Sequence, residues 1–179
     1  MPNWCSGNIR FRGKMDDILK LLRENVVFCR IGDNRETESK PANINYDEDY
    51  NEIRIESPFE EGNKGWNYIE NTRRNFLDTS KCESEIISSG SYIPDENEGE
   101  DCWIFIFEGF SAAWSIEPKP YMEMSKKYNV DVKIFGWERG IGFDQEIEIV
   151  DGNLVKNNCS EYKDYVDWMW NTALPYMGG

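Results

Sequence analysis

The sequence predicts an α+β domain in which a split β-α-β frame carries an antiparallel sheet with helices on one face. Three observations lead there. An alternating strand pattern, a helical stripe and a second strand pattern follow one another within the first 31 residues. The same order returns after residue 101, and the stretch between is polar and rich in acids. The predicted frame spans 1–31 and 102–157, with an acidic insertion over 32–101 and a last helix over 160–171, all within one domain of 1–179.

Residues 3–12 alternate, with Ile9 and Phe11 to one side and Asn8, Arg10 and Arg12 to the other. Gly13 ends that strand. Met15, Ile18, Leu19 and Leu22 then form one helical stripe, with Asp16 and Asp17 in the first turn, where the helix dipole favours anions. Val26 to Ile31 reads as a strand. Residues 32–50 carry Gly32, Asn34, Pro41 and Asn43 and read as a loop or the start of an insertion. Glu52 to Phe59 is a short strand, with Ile53 and Ile55 on one face. Trp66, Ile69 and Arg73 open a helical period that runs to about Leu77, and Ser84 to Tyr92 reads as another strand.

Cys102 to Phe107 is an apolar strand with no polar break. Ser115 is placed to cap the next helix, with Pro118 and Pro120 near its first turn and Tyr121, Met124 and Tyr128 on one side. Val130 to Trp137 alternates, with Val132 and Ile134 opposite Lys133, Phe135 and Trp137. Phe143 to Val150 follows, and Asp151-Gly152 signals a hairpin into Asn153 to Lys156. Tyr162, Tyr165, Val166 and Met169 give the last helix. The order fits a ferredoxin-like sandwich.

Composition narrows the chemistry. The 179 residues contain no histidine, which excludes a Ser-His-Asp triad, a Cys-His dyad and histidine-ligated zinc. The five cysteines, Cys5, Cys29, Cys82, Cys102 and Cys159, are odd in number and show no C-x-x-C spacing. They predict neither a disulfide framework nor a zinc site, but reduced thiols in a cytoplasmic protein. The start of the chain lacks the apolar run of a signal peptide, and no stretch approaches 18 apolar residues, so no membrane span is expected. No glycine-rich phosphate loop is present, and neither cofactor nor metal is expected.

The opening Met1-Pro2-Asn3-Trp4-Cys5-Ser6, with Ile9, Phe11 and Gly13 behind it, resembles the YubB-like family of phage and plasmid proteins. So do Ala113-Trp114-Ser115, Tyr128-Asn129, and the series Phe135, Glu138, Arg139, Gly140 and Phe143. Thr72-Arg73-Arg74-Asn75-Phe76 is similar to a segment of some relatives. The usual Asn at position 7 is Gly7 here, and the Trp-rich middle segment of many members is not visible. The resemblance implies a ferredoxin-like fold and a mobile-element setting, with no activity and no catalytic residues.

Two groups of residues are candidate sites. With 34 acids against 20 bases the net charge is −14, which repels nucleic acid and attracts basic surfaces. Asp47, Glu48, Asp49, Glu52 and Glu56 form one acidic block, and Asp95, Glu96, Glu98, Glu100 and Asp101 another. Glu146 and Glu148 alternate outward on a strand. Carboxylates on one strand face recur about every 6.5–7 Å, near the phosphate spacing of a single nucleic-acid strand, so such rows can occupy a basic channel. Plain solvated surface is the simpler account. The Asp95 run opens like a calcium loop but has Glu100 where the sharp turn needs Gly and Ile106 where a bidentate Glu belongs.

The second group is Arg10, Arg12, Lys133, Phe135, Trp137 and Arg139. If the first strand lies beside the Val130 strand, the first five share an open sheet face, an arrangement suited to single-stranded nucleic acid. Coverage of that face by the insertion is the simpler account.

The leading expectation is a non-enzymatic phage or plasmid protein. It would block a host nucleic-acid-handling defence complex, of the anti-CRISPR or anti-restriction type, as an acidic nucleic-acid mimic. The alternative is a nucleic-acid or nucleotide binder working through the open sheet face. A third is an enzyme using carboxylates on a small substrate.

Overall fold

The computed structural model describes residues 3–31, 37–46, 53–59, 65–87, 102–164 and 166–167. In chain order the elements are β1 (Trp4–Gly13), α1 (Met15–Asn25), β2 (Val26–Ile31), β3 (Thr37–Pro41), β4 (Asn43–Tyr46), β5 (Ile53–Glu56), β6 (Gly65–Ile69) and β7 (Asn75–Ile87). They continue with β8 (Cys102–Ala113), α2 (Pro118–Tyr128), β9 (Asp131–Glu138), β10 (Phe143–Val150) and β11 (Asn153–Glu161). Nine strands form one sheet in the order β11-β10-β9-β1-β8-β7-β6-β2-β3, and β4 pairs with β5 apart from it. Every neighbouring pair is antiparallel.

This overturns the expected ferredoxin-like sandwich. A small sheet flanked by an insertion does not form. The segment 32–101 supplies β3, β6 and β7 to the main sheet, so β8 pairs with β7 rather than with β2. The physical reason lies at residues 66–77. Trp66 and Ile69 satisfy a helical spacing, but Asn67 and Ile69 are buried while Trp66 is exposed, which is the period-two pattern of a strand. A polar residue on the buried face hid that alternation. Asn71 and Arg74 take positive φ (60° and 54°), turning β6 into β7 where a helix was expected. Residues 37–46, read as loop, likewise form β3 and β4. At the other end β11 reaches Glu161, displacing the start of the expected helix over 160–171. Of that helix only 162–164 and 166–167 are described, with helical backbone at the last two.

Both helices and the β4–β5 hairpin pack on one face of the sheet, in one apolar cluster. Ile9 and Phe11 of β1, Val132 and Ile134 of β9, Ile147 and Ile149 of β10, and Phe105, Phe107 and Phe110 of β8 point into it. Phe107 meets Phe11 edge to face at 6.3 Å and Phe105 at 5.0 Å between ring centres. α1 contributes Ile18, Leu19 and Leu22, and α2 contributes Tyr121, Met124 and Tyr128.

α2 starts with prolines in its first turn and closes on Asn129 in the left-handed region. Ser115 does not cap it; Glu117 holds the cap position and no side chain closes it. Tyr128 Oη and Lys127 Nζ both donate to Glu24 Oε2, at 2.7 and 2.8 Å, tying α2 to α1. Among the described residues no helix is long and apolar enough to cross a membrane. Among the described residues no helix or hairpin packs on the opposite sheet face, the open face, although Asn8 within it is buried.

Candidate functional site

The open face is built on β1, where alternation sends Cys5, Ile9 and Phe11 to the core and Trp4, Ser6, Asn8, Arg10 and Arg12 to the other side. β1 lies between β8 and β9. In register with β9, Ser6 faces Trp137, Asn8 faces Phe135 and Arg10 faces Lys133. Directly paired residues put their side chains on the same face. Arg10, Arg12, Lys133, Phe135 and Trp137 are therefore brought together. Arg139 is not among them: it is exposed in the turn after β9. That turn is held by the buried Glu138, whose carboxylate accepts from the backbone N–H groups of Gly140 (2.7 Å) and Ile141 (2.5 Å).

Most charges on this face are already matched. Arg12 donates to Asp131 Oδ2 through Nε (2.9 Å) and Nη2 (2.5 Å), and the other oxygen of Asp131 accepts from the Asp151 N–H. Lys133 Nζ sits 3.2 Å from Glu146 and 3.8 Å from Glu148, and Lys156 Nζ sits 2.6 Å from Glu146. The hydrogen bond from Lys156, with a smaller contribution from Lys133, holds the Glu146 carboxyl below its ordinary pKa. Glu146 and Glu148 do alternate outward on β10, but as ion-paired groups rather than a free row. Arg10 differs. It is exposed and has no hydrogen bond or ion pair among the described residues. It borders a shallow groove of about 100 Å³ with Arg12, Ile104, Asp131, Lys133 and Glu148.

The other end of the face is aromatic. Phe76 on β7 pairs in register with Ser111 of β8, which pairs with Ser6 of β1. Trp4 meets Phe76 edge to face at 5.4 Å between ring centres, and Trp66 of β6 meets it at 6.1 Å. Trp4 and Trp66 remain 39% and 36% exposed. Trp114, just past β8, is 46% exposed in a left-handed backbone conformation. Sequence reasoning missed Trp66 and Phe76 because it placed them on a helix. The alternation of Trp66 and Tyr68 against Asn67 and Ile69 was the signal available.

Of the acidic candidates, Asp47, Glu48, Asp49 and Glu52 lie outside the described residues, as do Asp95, Glu96, Glu98, Glu100 and Asp101. Glu56 is exposed on β5 and accepts from Asn45 Nδ2 at 3.0 Å. Thirteen of the 34 acids fall outside the described residues, against two of the 20 bases, Arg35 and Lys64. Eleven of the fourteen excess negative charges are thus not on the described strands and helices.

Cys5 is buried, and that burial, with Glu138 adding to it, pushes its thiol up to about 12, so it is no nucleophile near neutral pH. Among the described residues no group of three or more His, Cys, Asp or Glu is placed to hold a metal ion. No family model, no curated protein and no solved structure matches this chain.

Proposed function

We propose that this protein binds single-stranded nucleic acid along the open face of its sheet. One observation carries the reading: the exposed Trp4–Phe76–Trp66 ring cluster lies on the same sheet face as Arg10, a guanidinium with no partner among the described residues. Rings on a sheet face stack bases without regard to sequence, and an arginine fork takes a phosphate. The ion pairs beside Arg10 offset one another, and between Arg10 and the rings β1 and β9 present the uncharged Asn8, Phe135, Ser6 and Trp137, with Asp144 of β10 opposite Trp137.

The test is fluorescence anisotropy with labelled mixed-sequence single-stranded RNA and DNA over a salt series. Few phosphates are neutralised, so log affinity should fall with log salt at a slope of only about −0.7 to −1.4, the value for one or two contacts. Trp66→Ala and Arg10→Glu should each weaken binding about ten-fold or more. Absence of binding by the wild-type protein at low salt sinks the reading.

A second reading is favoured by the concentration of excess acid at 47–52 and 95–101. In it those tracts compete with nucleic acid for the basic channel of a host defence complex, in the mobile-element setting that the YubB-like resemblance implies. Reversing either tract to lysine should then abolish capture of a basic partner, while Arg10→Glu leaves capture intact.

A further inference from the structure

We propose that the groove beside Arg10 seats a single terminal phosphate, a phosphomonoester, so that the open face holds a strand by its end. The strand itself rests on the open-face reading; the phosphate rests on the chemistry of the groove.

Size comes first. A groove of about 100 Å³ is well below the ~300–1,000 Å³ of pockets that enclose a whole small molecule. It has room for one compact group. Charge comes second. Its lining holds Arg10, Arg12 and Lys133 against Asp131 and Glu148, a surplus of one positive charge. Arg12 is committed to Asp131, and Lys133 is shared between Glu146 and Glu148. Arg10 brings the surplus, with its whole fork available for bidentate bonds to phosphate oxygens. A phosphomonoester carries between one and two negative charges at neutral pH, matched by Arg10 and helped by the neighbouring ammonium.

The surrounding acids set the direction. Asp131 and Glu148 close the groove on the β9–β10 side. A phosphate chain continuing that way would meet cations already engaged by these carboxylates and no free one among the described residues. The way out runs along β1, over the buried Asn8 with Phe135 and over Ser6 with Trp137, to Trp4. Six residues of strand span about 20 Å at ~3.3 Å each. That is roughly three nucleotides of an extended single strand, ending on the rings of Trp4 and Phe76.

The experiment uses the full chain. Inorganic phosphate, AMP, adenosine and acetate are titrated while the Arg10 side-chain Nε–H signal is followed by NMR. In parallel, affinities are measured for trinucleotides ending in phosphate or hydroxyl. Phosphate and AMP should shift the Arg10 signal while adenosine does not. A phosphate-ended trinucleotide should bind about ten-fold or more tighter than its hydroxyl-ended form, and Arg10→Gln should erase that difference. If both forms bind equally, the seat is refuted while the open-face reading stands. If phosphate and AMP act at Arg10 but no trinucleotide binds, the seat stands and the strand reading falls. Acetate acting as strongly as phosphate, or no effect of phosphate at Arg10, overturns the seat.

Discussion

Gly136 on β9 and Gly7 on β1 face each other in register on the buried side of the sheet. A Cβ at Gly136 would stand 2.5 Å from Cys5 Sγ and 2.8 Å from Ile116 Cδ1, and one at Gly7 would stand 1.9 Å from the Phe135 carbonyl oxygen. The absent side chains let the segment before α2 settle on the strands, where Gln145 holds Ile116 by both its backbone N–H (2.9 Å) and its carbonyl (3.0 Å). Gly136→Ala should destabilise the protein by about 1–3 kcal/mol through overpacking. Each kcal/mol should lower Tm by about 2–4 °C at this chain length. A variant melting within a degree of wild type would show that Ile116 gives way freely. At Gly7 a side chain likewise has no space beside the Phe135 backbone.

At the scale of elements, Glu146 on β10 joins β9 and β11 through Lys133 and Lys156. Its carboxyl is held low in the folded state. Its contribution is therefore present above the ordinary carboxylate pKa and is lost as pH falls through the depressed folded value. Glu146→Gln should remove that dependence. Denaturant melts between about pH 5 and 2.5, a window around and below the ordinary value of about 4.3, should fall less steeply for the variant than for wild type. Parallel curves would mean that the pair is as well solvated folded as unfolded.

Legibility followed the side chains. β1, α1, the first half of β8, α2, β9 and β10 were readable because most of their buried positions are apolar, as with Val132 and Ile134 or Ile147 and Ile149. β6 and the start of β7 were not, because Asn67 and Asn75 occupy buried positions. Asn75 is satisfied by a partner 46 residues away, the Tyr121 hydroxyl, which no local pattern reveals. The juxtaposition of Arg10 with Lys133 followed once β1 was set beside β9. Neither the ion pairs that neutralise Glu146 nor the ring cluster around Phe76 can be read without the strand order.

For the molecule as a whole, the excess acid is set apart from the sheet along the sequence. The field it casts still acts on any polyanion approaching the open face. Replacing Asp95, Glu96, Glu98, Glu100 and Asp101 with their amides should raise affinity for single-stranded oligonucleotides at low salt. The gain should vanish near 1 M salt, where the screening length is about 3 Å. Anisotropy titrations at the two salt levels measure it. Loss of oligonucleotide binding on neutralisation would contradict the open-face reading.

The position of β1 has a consequence in time. β1 is made before every other strand of this sheet and becomes an interior strand, and its two neighbours, β8 and β9, are encoded about a hundred residues or more later; Ser6 bonds to Ser111, 105 positions away. Until those strands emerge, both edges of β1 have only water or a stranger to pair with. Synthesis at about 5–20 residues per second leaves that interval at several seconds or more. Closing so long a loop before any contact repays it also slows the final assembly. Arg10 and Arg12, alternating with Ile9 and Phe11, then have an earlier use. They are charges on an unpaired strand, of the kind that discourages it from joining another nascent chain.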